Sequence, residues 1–68
     1  MTPQESARQI DAIIGEAESI TRRLLLFRWL DAGQRLDDLE PGLRVLIATN
    51  QLRVQKLGEE LEYLRPGE

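Results

Sequence analysis

The sequence predicts an all-α fold: an antiparallel two-helix hairpin that assembles into a homodimeric four-helix bundle. Apolar residues recur at helical spacing in two long segments, and residues 24–30 place apolar side chains on every side of a helix. The chain has 68 residues and contains neither cysteine nor histidine. A chain of this size buries only about 60% of its unfolded surface, and without disulfides or zinc ligands oligomerisation is the remaining reinforcement.

The first helix is predicted over residues 3–31. Its start is marked by Thr2 as N-cap, Pro3 at the first helical position and Glu5 three residues after the cap. Gly15 is interpreted as a mild defect inside this helix, of roughly 1 kcal/mol relative to alanine. The apolar seam repeats with spacings of three and four residues and is formed by Ile10, Ile13, Ala17, Ile20, Leu24 and Phe27.

A turn over residues 32–38 and a second helix over residues 39–64 complete the predicted hairpin. Gly33 is expected to be the left-handed residue that ends the first helix, and Asp38 the N-cap of the second. Because no window alternates with period two, no strand is predicted. The main stripe of the second helix consists of Leu39, Leu43, Leu46, Asn50, Val54, Leu57, Leu61 and Leu64.

The short connection places the apolar end of the first helix beside the apolar start of the second. The surplus apolar residues then form one predicted interface: Leu25, Leu26, Trp29, Leu30, Val45, Ala48 and Leu52. Two interpretations of it stay open. It is the core of a homodimer that four helices bury, or a docking surface for a different protein in which Trp29 is the anchor. The two can coexist if the dimer leaves part of the surface exposed.

Asn50 is the one polar residue on the predicted stripe of the second helix. A lone asparagine on an apolar seam can pair with its symmetry mate and fix the register and oligomeric state of a bundle. The alternatives are a hydrogen bond to the backbone, or a position at the edge of the seam in contact with water.

The formal net charge of −3 disfavours nonspecific nucleic-acid binding, which requires excess positive charge. Met1 to Glu5 lack the basic and then apolar profile of a secretory signal, and no apolar run approaches the ~20 residues of a membrane span. We therefore expect a cytoplasmic protein with no membrane partner. The arginines are the only route to nucleic-acid binding: Arg8 and Arg22 share an outward sector of the first helix, and Arg23 lies near it.

Catalysis has few candidate residues. The sequence has no glycine-rich phosphate loop and no paired carboxylates on an apolar face, so no catalytic residue, cofactor or metal ligand is predicted. Arg28, with apolar neighbours, is the strongest residue for holding an anion. The sequence predicts a noncatalytic protein-interaction module, an adaptor, chaperone or inhibitor, that binds itself as a dimer and a larger protein. The alternative is a nucleic-acid-binding regulator that uses an arginine face.

Overall fold

The computed structural model describes residues 1–66 and contains three helices and a three-stranded antiparallel sheet. The all-α two-helix hairpin was therefore a wrong prediction, and so were the four-helix bundle and coiled coil built on it. In chain order the elements are α1 (Pro3–Ile14), β1 (Ser19–Thr21), α2 (Arg22–Asp31), α3 (Leu39–Ala48), β2 (Arg53–Leu57) and β3 (Glu60–Leu64), with a 3₁₀ turn at Leu36–Asp38 before α3. In residues 1–66, no helix is long and apolar enough to cross a lipid bilayer.

The predicted helix over residues 3–31 is two helices separated by a strand, because Gly15 ends α1. Gly15 has a φ of 60° and a ψ of −127°, a conformation that residues with a Cβ rarely adopt. The chain then extends into β1, and the Thr21 side chain accepts a hydrogen bond from the Leu24 amide to begin α2. The predicted start of α1 is confirmed, since Thr2 and Glu5 exchange both bonds of a capping box at 2.9 and 3.2 Å.

The predicted second helix ends at Ala48, sixteen residues early, and Asn50 lies beyond its end instead of on a helical stripe. Asn50 has a φ of 60°, and its backbone N–H donates to the Ile47 carbonyl. The backbone N–H of Gln51 donates to the Leu46 carbonyl at 2.8 Å. This is the hydrogen-bond pattern of a Schellman cap, in which asparagine is the usual substitute for glycine. The same pattern ends α2 at Gly33, as predicted.

Residues 53–64 form a β-hairpin that the sequence analysis missed. Leu57 pairs with Glu60, so Gly58 and Glu59 make a two-residue turn, and Gly58 has the positive φ (66°) such turns require at their first position. Glu60 to Tyr63 do alternate polar and apolar residues, so the statement that no window has a period of two was wrong.

The sheet has the order β1-β3-β2, with β3 in the centre. Tyr63 pairs with Ile20 of β1 on one side and with Val54 of β2 on the other. Ile20 and Tyr63 are buried, which identifies the side of the sheet that faces the helices, whereas every residue of β2 is exposed. The hairpin is thus joined to the helical core mainly through β3.

The core lies between the three helices and the inner side of the sheet. Its closest helix contact joins α1 to α3, where a Cβ built on Gly42 would lie 2.7 Å from the Ser6 Cβ and 2.8 Å from the Ser6 carbonyl carbon. No side chain fits into this gap. The buried apolar residues are Ala7, Ile10, Ile14, Ile20, Leu25, Trp29, Leu39, Leu43, Leu46, Leu52 and Tyr63.

Gly42→Ala is expected to destabilise the protein by about 3 kcal/mol, the upper end for overpacking, because one of the clashing atoms belongs to the α1 backbone. The control is Ser6→Ala on the facing helix. Its buried hydroxyl has no hydrogen-bond partner within residues 1–66, so its removal is expected to raise stability by about 1 kcal/mol. Urea unfolding measures the change in the free energy of unfolding for both variants. An equal change in the two variants would contradict the close contact at Gly42.

Asn50 gives a second prediction, since its left-handed conformation favours glycine. Asn50→Gly is expected to keep or slightly raise the Tm, whereas Asn50→Val is expected to lower stability by about 1–2 kcal/mol because a β-branched side chain is strained at positive φ. Thermal unfolding followed by circular dichroism compares the two. If valine is tolerated as well as glycine, residue 50 does not hold the cap conformation described here.

Candidate interaction surface

Helix α2 is held on the rest of the molecule along one side. Leu25 and Trp29 are fully buried, and Arg22 and Leu26 complete the same side at helical spacing. The Trp29 ring is 0% exposed, and its Nε1 donates to the Arg35 carbonyl at 2.7 Å. This hydrogen bond joins Trp29 to the loop that follows α2. Together with the burial of Trp29, it holds the C-terminal half of α2 in place.

Arg22 fixes the N-terminal half of α2. Its guanidinium donates to the Tyr63 hydroxyl at 2.6 Å and forms a salt bridge with Glu40 of α3. The hydrogen bond with Glu40 raises the pKa of Arg22, an effect that partial burial opposes and that the bond to Tyr63 adds to. One side chain thereby joins α2, α3 and β3. It is not available to bind a nucleic acid as part of the predicted arginine sector.

The outward side of α2 is apolar as well. Leu24, Phe27 and Leu30 are 42%, 67% and 49% exposed, and each turns away from the buried side defined by Leu25 and Trp29. We call these three residues, together with the charged Arg23, Arg28 and Asp31 that flank them, the α2 surface. Large apolar side chains grouped on one exposed helix are uncommon on monomers and are typical of interfaces.

The charged residues of the α2 surface are accessible. The Arg23 side chain is 89% exposed, and its guanidinium reaches Glu60 only at 4.0 Å, while its backbone amide donates to the same carboxylate at 3.2 Å. Arg28 and Asp31 are exposed, and neither takes part in a salt bridge within residues 1–66. An open groove adjoins this region between α2 and the hairpin turn, lined by Arg22, Arg23, Leu26, Glu59, Glu60 and Leu61.

The seven residues of the predicted interface divide between core and surface. Leu25, Trp29 and Leu52 are buried in the core of the chain itself. Leu26 and Val45 are half-buried and pack against that core, and only Leu30 and Ala48 are exposed. The reason is that α3 and the sheet supply neighbours that a two-helix hairpin lacks. Contact of any of the seven with another molecule stays a prediction.

Sequence reasoning placed Leu24 and Phe27 on the inner seam of the first helix, whereas the structure places them outside. The error follows from Gly15, because the break between α1 and α2 resets the helical phase before residue 22. The sequence feature that indicated this surface is that residues 24–30 place apolar side chains on every side of a helix. This feature identifies the helix, but it does not show which side faces the core and which faces outward.

The exposed part of α3 has a different character. Asp37 and Asp38 immediately precede this helix, Glu40 lies in its first turn, and Arg44 is its one basic residue. This end of α3 is acidic and would face the phosphates of a nucleic acid unfavourably.

Comparison of the chain with models of protein families, with curated proteins and with solved structures found no match. In residues 1–66, no group of three or more aspartate, glutamate, histidine or cysteine side chains could hold a metal ion.

The position of Trp29 gives a testable prediction about where its burial comes from. Because its neighbours belong to the same chain, its fluorescence is expected to be blue-shifted and protected from iodide at every protein concentration. Trp29→Phe is expected to lower stability by about 2 kcal/mol, through the lost hydrogen bond to the Arg35 carbonyl and the smaller ring. Emission that shifts to the red on dilution would place Trp29 in a subunit interface instead.

Proposed function

We propose that this protein is a noncatalytic interaction module that binds a larger protein through the α2 surface. The observation that carries the proposal is the row of Leu24, Phe27 and Leu30 on the outward side of a helix whose inner side is already satisfied by the core. These three side chains are neither part of the buried core nor among the half-buried residues that pack against it. Phenylalanine and arginine are enriched at protein interfaces, and the α2 surface offers both.

The way in which α2 is held supports this proposal. Trp29 and Arg22 fix the helix at both ends, so its outward side chains are presented on a rigid support. Binding by a preorganised helix loses less conformational entropy than binding by a flexible segment. The spacing of Leu24, Phe27 and Leu30 suits an apolar groove on the partner, as in other complexes where a helix lies in a groove. The flanking Arg23, Arg28 and Asp31 supply the polar rim.

Nucleic-acid binding is the second candidate, and the observation that favours it is the exposure of Arg8 and Arg23, two arginines of the predicted sector. Three features weigh against it. The net charge is −3, Asp37 and Asp38 stand at the start of α3, and Arg22 is engaged with Glu40. The charge distribution therefore favours a protein partner over a nucleic acid.

The proposal is tested by affinity capture from cells that naturally produce this protein, with and without nuclease, using the wild type and Phe27→Glu. Leu57→Glu is the matched control, because Leu57 is a similarly exposed apolar residue (56%) on β2. We expect a protein that the wild type and Leu57→Glu capture equally and that Phe27→Glu recovers at least tenfold less well, a loss of about 1.4 kcal/mol or more.

Circular dichroism and thermal unfolding establish that both glutamate variants remain folded, as expected for exposed positions. Recovery that disappears with nuclease would replace the proposal with the nucleic-acid alternative. Equal recovery by Phe27→Glu and the wild type would show that the α2 surface is not the binding site.

A further inference from the structure

We propose that in the free protein the α2 surface is covered by the α2 surface of a second copy, in an antiparallel pair with twofold symmetry centred on Phe27. The inference rests on the proposed function, in that both assign binding to the α2 surface. It goes further by naming one occupant. The order of apolar and charged residues along α2 supports this pairing.

In an antiparallel pair centred on Phe27, residues equally distant from position 27 lie at the same level along the two helices. Phe27 then meets Phe27 of the second copy, and Leu24 lies level with its Leu30. At a rise of about 1.5 Å per residue, Leu24 and Leu30 lie roughly 4.5 Å on either side of the centre. The Phe27 contact lies on the axis and occurs once, and the Leu24–Leu30 contact occurs twice, as a twofold interface requires.

The charges on α2 match the same arrangement. Arg23 and Asp31 each lie four residues from Phe27, on opposite sides, so each arginine is level with an aspartate of the second copy at both ends of the apolar stretch. The Arg23 side chain is 89% exposed, and its contact with Glu60, at 4.0 Å, is long enough to be exchanged for an aspartate across the interface. Arg28 lies level with the half-buried Leu26 and so does not meet another arginine.

Charge also selects the orientation of the pair. A parallel pair would place Arg23 beside Arg23, Arg28 beside Arg28, and Asp31 beside Asp31, with like charges in every layer outside the apolar residues. The antiparallel pair removes the first and last of these repulsions and replaces them with attractions. Specificity of this kind comes as much from the disfavoured alternative as from the favoured contact.

The size of the surface sets the strength of the pair. α2 has ten residues, of which one side is outward, so the buried area falls below the roughly 800 Å² per partner of a standard interface. Interfaces below the standard size are typical of weak and transient association, so we expect the dimer to exchange readily with monomer. A larger partner that binds the same side chains competes with the second copy, and self-association then limits access to the α2 surface until that partner is present.

The test is sedimentation equilibrium of the full chain, comparing the wild type with Arg23→Asp and Asp31→Arg, each alone and as an equimolar mixture. Each single variant places like charges together across the interface, so its dissociation constant is expected to rise at least tenfold.

In the mixture, the introduced aspartate of one variant lies level with the introduced arginine of the other, and the unaltered Asp31 of the first lies level with the unaltered Arg23 of the second. Heterodimers are therefore expected to restore wild-type affinity within threefold. A parallel pair would also favour the mixed heterodimer, but it already has like charges together in the wild type and so predicts no loss in the single variants. Loss in each single variant followed by recovery on mixing therefore identifies the antiparallel orientation.

Arg44→Asp on α3 and Glu16→Arg between α1 and β1 are the controls, because they change the net charge by the same amounts at exposed positions outside α2. Both are expected to dimerise as the wild type does. A wild type that stays monomeric to 1 mM overturns the inference, while the capture experiment with Phe27→Glu decides the proposed function independently. A dimer that is unchanged in the single variants, or not restored on mixing, places self-association on another surface.

Discussion

The close contact between α1 and α3 at Gly42 is the constraint on which the rest of this structure depends. Any side chain at position 42 would collide with Ser6 and Ile10, so the two helices reach this separation only because residue 42 is glycine. The approach brings Ile10 of α1 against the buried stripe of α3, formed by Leu39, Leu43 and Leu46. A chain of 68 residues buries little apolar surface in total. An increase in the distance between α1 and α3 by the width of one methyl group would therefore leave this layer poorly packed.

The remaining elements close around that layer. Helix α2 adds Leu25 and Trp29, and the sheet adds Ile20 and Tyr63 from two paired strands. Arg22 and Arg65 hold the periphery: Arg22 joins α2 to α3 and β3, and Arg65 joins the end of β3 to Asp11 and the Gly15 carbonyl at the end of α1. A cation at that position also interacts favourably with the α1 dipole. The core is therefore complete within one chain, and the outward apolar residues of α2 have no part in it.

The sequence allowed correct predictions where the determinants are local. The capping box at Thr2 and the cap at Gly33 depend on residues within one helical turn, and both are present. The failures at Gly15, Asn50 and Gly58 share one cause, since all three have positive φ and were interpreted as residues of continuous helices. A glycine inside a helical apolar repeat is compatible with a continuous helix that tolerates it or with the end of a helix. The repeat alone does not distinguish these two structures.

The candidate surface was recoverable only in part, for a related reason. That residues 24–30 carry more apolar surface than one neighbour can cover was evident from the sequence, and it located α2. Which side chains face outward depends on the rotation of α2 against α3 and β3, and that rotation is fixed by long-range contacts such as Arg22 with Tyr63, 41 positions apart. The buried and exposed halves of the apolar circumference are thus assigned by residues far away in the sequence. Leu25 and Trp29 stabilise the fold, while Leu24, Phe27 and Leu30 on the same ten-residue helix are exposed. Because the two sets do not overlap, substitutions on the outward side test the proposed binding without removing a core residue.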